Sequence, residues 1–358
     1  MKRLLLLFAV LSGTLCAQAQ MTAWVDFRNE FYIADNGRAL KKESLPPVSF
    51  GVGRVTIPYI DNARNFKIYS NGNVEKINDG FTNSFIATDN LVMYRNSSAI
   101  NVYENGQAME LSRLCDNYFV GDSVILFYDQ VRSLLKGYYG GRTYELENFL
   151  AGDPANVVSV SDNIISYLNF ANRFKIFYHG QIIDQSPYPV SQFKAGRNTV
   201  AYVDNNREFK IFYKGSTYDA DDFPPSSFMV GDDLVAYISN DRHFKIFFEG
   251  QILDIGYYEP QYNVTDYVVA FEDANGYFQV FYKGKTYQMD LYYPKGMMIG
   301  YNSVAFIDRS NTLKMFSAGQ IYNVTTAAVQ DIRLDYDVLK YTMGFNMYKV
   351  FYKGQEFK

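Results

Sequence analysis

The stretch Phe209-Lys-Ile-Phe-Tyr-Lys-Gly215 decides the fold, because it returns along the chain. Close copies are Phe174-Lys-Ile-Phe-Tyr-His-Gly180 and Phe244-Lys-Ile-Phe-Phe-Glu-Gly250. Looser ones are Phe278-Gln-Val-Phe-Tyr-Lys-Gly284 and Tyr348-Lys-Val-Phe-Tyr-Lys-Gly354. The closing glycines are Gly37, Gly72, Gly106, Gly141, Gly180, Gly215, Gly250, Gly284, Gly319 and Gly354, spaced 35, 34, 35, 39, 35, 35, 34, 35 and 35 residues apart. Ten copies with so little scatter are an internal repeat. The spacing of 39 marks an insertion around Asp153 to Ser159.

Around the motif each unit reads as four short strands. In the copy from Ser227 to Ile255, Phe228-Met-Val is the first and Gly231-Asp232 turns it. Leu234-Val-Ala-Tyr-Ile is the second, Phe244-Lys-Ile-Phe-Phe the third and Gln251-Ile-Leu-Asp-Ile the fourth. Short β-branched and aromatic runs with a turn every 8 to 12 residues or so indicate antiparallel sheet. No segment sustains a 3.6-residue apolar period, so helix is expected to be scarce. Four antiparallel strands every 35 residues predict an all-β fold, a β-propeller of about ten blades. The spacing fits one large ring or two smaller rings equally well. The first copy begins at Trp24-Val-Asp-Phe without the short strand that opens the others. Apolar residues on both sides of Phe209-Lys-Ile-Phe-Tyr fit a strand covered on both faces by neighbouring blades.

The unit resembles the propeller repeats of secreted and periplasmic proteins, including those of the Tol envelope system. Val230-Gly-Asp-Asp-Leu-Val-Ala-Tyr-Ile-Ser239 has the shape of their turn and following strand. The resemblance implies a fold and not an activity, since propellers host many functions. The Trp-Asp ending of WD repeats and the Ser-x-Asp-x-Gly-x-Thr-Trp box of sialidase-like propellers are missing.

The start of the chain carries an address. Lys2 and Arg3 precede the apolar run Leu4 to Leu11, and Ala17-Gln-Ala19 matches a small-x-small cleavage site. Residues 1–19 therefore read as a secretory signal peptide, and 20–358 as one repeat domain. Its ending, Cys-Ala-Gln-Ala-Gln, resembles those of Bacteroidota envelope proteins. Cleavage takes the basic count from 34 to 32 against 38 acidic residues, a net charge of −6. That balance argues against a nucleic-acid partner. No later segment is apolar for 18 residues, so no transmembrane helix is expected. The chain ends inside a repeat, which favours the periplasm over a cell-surface or secreted destination.

Chemistry is sparse. The chain has two histidines and two cysteines, and only Cys115 survives cleavage. His179 and His243 occupy repeat positions that other copies fill with Lys214, Asn65, Arg173 or Glu208, as solvated turn residues do. Cys115 reads as a packed thiol. Asp89, Asp122, Asp162, Asp232 and Asp266 each precede a second strand and are read as turn caps. Gly137-Tyr-Tyr-Gly-Gly141 lies in strand and turn, without the helix a phosphate loop needs. No catalytic residue, metal site or cofactor is assigned.

One face stands out. In an antiparallel blade, the turn from strand two to three and the link to the next blade emerge together. Those turns carry Arg173, Arg207 and Arg242, and the links carry Tyr188, Phe223, Tyr257, Tyr258, Tyr292 and Tyr293, stiffened by prolines such as Pro187 and Pro225. Tyrosine and arginine are enriched where proteins bind each other. The expectation is a non-catalytic exported propeller that binds a protein partner in the envelope. An accessory or plug subunit of an outer-membrane transport or secretion complex fits this address and fold. The alternative is a propeller that binds or processes glycans, which the single Trp disfavours.

Overall fold

A computed structural model describes residues 20–150, 152–344 and 347–357; the expected signal peptide, residues 1–19, lies outside the described residues. Ten antiparallel sheets follow one another along the chain. Nine have four strands in sequence order, and the first has three, Met21–Val25, Phe31–Asp35 and Arg38–Glu43. Among the described residues blade 1 has no opening strand. The expected strands recur closely: blade 7 is built from Ser227–Val230, Leu234–Ile238, His243–Phe248 and Gln251–Tyr257. The insertion holds a short helix, Pro154–Val157, the only α-helix among the described residues.

The second and third strands form the core because both their faces are covered. Ile176, Ile211 and Ile246, paired in register with Ser166, Ala201 and Ala236, are fully buried. The buried apolar side chains form ten clusters. Each joins two neighbouring blades, and the last joins Trp24 and Ala34 of blade 1 to Val338, Val350 and Tyr352 of blade 10. Ten blades with ten interfaces make one closed ring, which excludes two smaller rings.

Closure is polar as well as apolar. The backbone N–H of Asp337 donates to Gln20 Oε1 at 3.1 Å, and Gln20 Nε2 donates back to Asp337 Oδ2 at 2.7 Å. Lys340 Nζ donates to the Ala23 carbonyl at 3.1 Å. The same rung joins Asn163, Asn198 and Asp233 in blades 5 to 7, where each bond spans 35 residues.

The motif Phe-Lys also ties blades together. In nine blades the pairing of third and fourth strands slips at that point, as between Phe209 and Lys210. The bulge re-aims the following side chain. In blades 2, 7 and 9 the lysine then reaches the acid that ends the previous blade: Lys67 to Glu43 at 2.8 Å, Lys245 to Asp221 and Lys314 to Asp290 at 3.0 Å. After the third strand, Lys214 and Gly215 adopt φ of 49° and 88°. Two consecutive positive φ values make the tight hairpin turn that glycine favours.

Candidate functional site

The ring has two unlike ends. At one end emerge the turns between second and third strands and the links between blades. Asp26, Asp204, Asp273 and Asp308 build those turns, each accepting backbone N–H bonds from the residues two and four positions later, at 2.8 to 3.0 Å. Arg64, Arg207 and Arg242 occupy these turns with φ of 66° to 68°.

All eight exposed Phe and Tyr side chains among the described residues lie at this end: Phe27, Phe81, Phe149, Phe170, Tyr188, Phe223, Tyr257 and Tyr292. Leu45, Val48, Leu114, Val131 and Leu291 accompany them. Phe149 and Phe170 pair edge to face with centroids 6.4 Å apart. A cleft of about 630 Å³ opens beside Tyr292, between Pro294, Met297, Arg309 and Ile332. Among the described residues the opposite end exposes no Phe, Tyr or Trp ring, and its hairpin turns carry polar residues such as Asn71, Asn105, His179, Lys214 and Lys283.

The residues expected on this face divide into two groups. Tyr188, Phe223, Tyr257 and Tyr292 are exposed. Tyr258 and Tyr293 pack between blades against Phe244 and Phe278, and burial pushes the Tyr258 hydroxyl up to about 12. Arg207 is exposed. Arg173 pairs with Asp184 at 2.5 Å and Arg242 with Glu259 at 3.3 Å, both exposed contacts that contribute little. Arg309 lies 3.3 Å over the Tyr292 ring.

Cys115 is buried and its thiol is raised to about 11, first by desolvation, which leaves it protonated at neutral pH. His243 Nδ1 lies 2.8 Å from Asp254 Oδ2. His179 stacks on Tyr178 and Tyr139.

The other end corrects one sequence reading. Asp89, Asp122, Asp162, Asp232 and Asp266 are not independent turn caps. They occupy the turn between first and second strands, a position filled in other blades by Arg54, Arg197, Tyr301 and Tyr336, and these groups converge on the propeller axis. Arg197 Nη1 reaches Asp232 Oδ2 at 3.3 Å, Tyr267 Oη at 3.1 Å and Tyr301 Oη at 3.2 Å, in three successive blades. Arg54 bonds Asp89 at 3.1 Å and lies over the Tyr301 ring, seven blades along the chain. Close approach of the turns needs glycine: a Cβ on Gly231 would meet Thr265 O at 2.2 Å, and one on Gly300 would meet Tyr336 O at 1.7 Å.

Five carboxylates against two guanidiniums leave three negative charges in a largely buried space when all are ionised. Burial is the first cause raising all five acids, and neighbouring carboxylates add to it. Asp89 and Asp162 move to about 6, Asp232 to about 7, and Asp122 and Asp266 to about 8. Sequence reasoning missed this cluster. Its signal was one repeat position holding Arg in some copies and Asp in others, as residues that face one another do.

Among solved structures, an initiation factor from a eukaryote is similar at 9% identity and a TM-score of 0.46, over 85% of this chain and 95% of that one. The computationally designed Ika8 protein is similar at 16% identity and 0.34, over 76% and 96%. PorZ, described as a surface component of the type-IX secretion system of Porphyromonas gingivalis, is similar at 9% identity and 0.28, over 92% and 49%. Likenesses of this level carry no argument about function. No curated protein matches the chain. The model of the 10-bladed beta propeller domain matches residues 15–357, nearly the whole chain. With ten blades and ten interfaces in one ring, the chain belongs to the 10-bladed beta propeller domain family.

Proposed function

We propose that this chain is a non-catalytic, exported propeller that binds a protein partner of the cell envelope through its aromatic end. The observation that carries the reading is the concentration of every exposed Phe and Tyr ring among the described residues on one of two ends. Apolar rings left in water on one side of a rigid scaffold mark an interaction surface, and aromatic anchors supply most of the binding energy at such surfaces. The signal-like start supports a partner in the periplasm or at the outer membrane. A role as accessory or plug subunit of a transport or secretion complex fits that address and the propeller fold. Trp24 is buried at the closure of the ring and offers no platform to a sugar.

The test compares wild type with a variant carrying Phe81→Ser, Tyr188→Ser, Phe223→Ser and Tyr257→Ser in pull-downs from envelope extract. The expected result is a stoichiometric protein retained by wild type, lost with the variant and kept by Lys214→Ala/Lys283→Ala at the opposite end. A partner held equally by all three proteins refutes the assignment of the face. Retention of glycan in place of protein favours the glycan-binding alternative.

A further inference from the structure

Two independent observations at the axial end point to a ligand. One carboxylate oxygen from each of Asp162, Asp232 and Asp266 lies within 4.8 Å of the other two. Separately, Asp162 Oδ1 and Asp232 Oδ1 are sealed from solvent and have no hydrogen-bond partner, on residues only 7% and 0% exposed. A buried carboxylate oxygen without a partner is costly and calls for a proton or a cation.

We propose that Asp162, Asp232 and Asp266 bind one calcium ion on the propeller axis. The donors are all carboxylate oxygens, which select hard cations and not the metals that prefer imidazole or thiolate. Two oxygens sharing Ca²⁺ at about 2.3–2.6 Å sit up to about 5 Å apart, whereas sharing Mg²⁺ at about 2.0–2.1 Å limits them to about 4.2 Å. Three oxygens that all lie within 4.8 Å of one another are inside the reach of Ca²⁺. A dication also offsets two of the three uncompensated negative charges. Asp266 is only half-buried, which gives water and ion a way in. The ion would tie blades 5, 7 and 8 together.

The groups facing the three ligands are the carboxylates of Asp89 and Asp122 and the guanidiniums of Arg54 and Arg197. The hydroxyls of Tyr267, Tyr301 and Tyr336 complete the surroundings. Protons on the carboxyls compete with the ion, so affinity rises with pH.

The site lies at the end opposite the aromatic face, so this proposal and the partner-binding reading stand or fall separately. The test is calorimetric titration of Ca²⁺ into the purified chain after treatment with EGTA. One ion per chain is expected at pH 8, with a dissociation constant between about 1 µM and about 1 mM, the span of natural calcium sites outside the tightest buffers. Affinity should fall at least about tenfold at pH 6. Asp232→Asn should weaken binding at least about tenfold, and Lys214→Ala should not. If Asp232→Asn does not fold, terbium bound to wild type and excited through Tyr267 and Tyr301 supplies the readout, with displacement by Ca²⁺ expected. No binding up to about 10 mM Ca²⁺, weaker than the loosest natural modules, means that protons alone hold the cluster and overturns the proposal. Tighter binding of Mg²⁺ than Ca²⁺, or unchanged affinity in a folded Asp232→Asn, overturns it too.

Discussion

Asp122 and Asp129 stand seven residues apart at the two ends of one strand of blade 4, and they behave as opposites. Burial raises both. At Asp129, Lys136 Nζ at 2.6 Å and Ser112 Oγ at 3.1 Å outweigh it, and the carboxyl ends below its ordinary value. At Asp122, the Asp162 carboxylate beside it adds to the burial, and the carboxyl rises to about 8. Asp61 and Asp308 repeat the first pattern at the outer turns, where backbone N–H groups and Lys67 or Lys314 overcome burial. Asp89, Asp162, Asp232 and Asp266 repeat the second. One side chain, placed by one repeat, is a matched structural element at one end of the ring and an unmatched charge at the other.

Removing the guanidinium at the axis should have the largest effect. Arg197→Met leaves buried carboxylates with less compensation and should cost roughly 3–5 kcal/mol at pH 8. Urea unfolding measures it, and a loss under about 1 kcal/mol, near the level of exposed pairs, would show the axial charges to be solvated like those at the surface.

The middle of the strands should be indifferent to which end is perturbed. Ile176→Ala, Ile211→Ala and Ile246→Ala should each cost roughly 2–5 kcal/mol. If any of the three is neutral, the shared register of blades 5 to 7 is wrong.

Two adjacent tyrosines sharpen the picture of the aromatic end. Tyr258→Ala removes a ring packed on Phe244 and should cost about 3 kcal/mol, the low end for buried aromatic rings. Tyr257→Ala removes an exposed ring and should change stability by less than about 0.5 kcal/mol while weakening partner binding by about 1 kcal/mol or more. Equal stability losses at the two positions would mean that Tyr257 is structural.

A further pair of changes should have opposite signs at the two ends. In calcium-free protein at pH 8, Asp122→Asn should stabilise by about 1 kcal/mol, because it removes a charge that burial opposes. Asp129→Asn should destabilise by about 1–3 kcal/mol, because it weakens a charged hydrogen bond. Thermal melts of the pair check both, and a shared sign erases the distinction.

The repeat made the blades legible before any coordinates. The ten turn glycines set the period, and Phe209-Lys-Ile-Phe-Tyr marked a strand buried on both faces. The ring number was not legible, because spacing is the same for one ring or two, and closure rests on Gln20 meeting Asp337 across the whole chain. The aromatic end was half legible. Antiparallel geometry put Tyr257 and Tyr258 in the same link, but adjacent residues point to opposite sides, so only packing could separate them. The axial cluster was not legible, because an Asp beside a tight turn fits a cap and only the closed ring brings five such turns together. Capping belongs to Asp204, Asp273 and Asp308, whose backbone partners two and four residues later lie just before the third strand.

The pH dependence of stability tests the contrast between the two ends most directly. A carboxyl raised in the folded state stabilises fully below its unfolded value near 4 and loses that contribution as pH rises through its folded value, here about 6 to about 8. A lowered one, such as Asp129, Asp61 or Asp308, loses its contribution only as pH falls below about 4. Between pH 5.5 and 8.5 the axial carboxyls therefore set the slope. The melting temperature of calcium-free protein should fall across that interval, by an amount on the order of 5 °C. A melting temperature that stays level or climbs from pH 5.5 to 8.5 would contradict the burial of unmatched carboxylates at the axis.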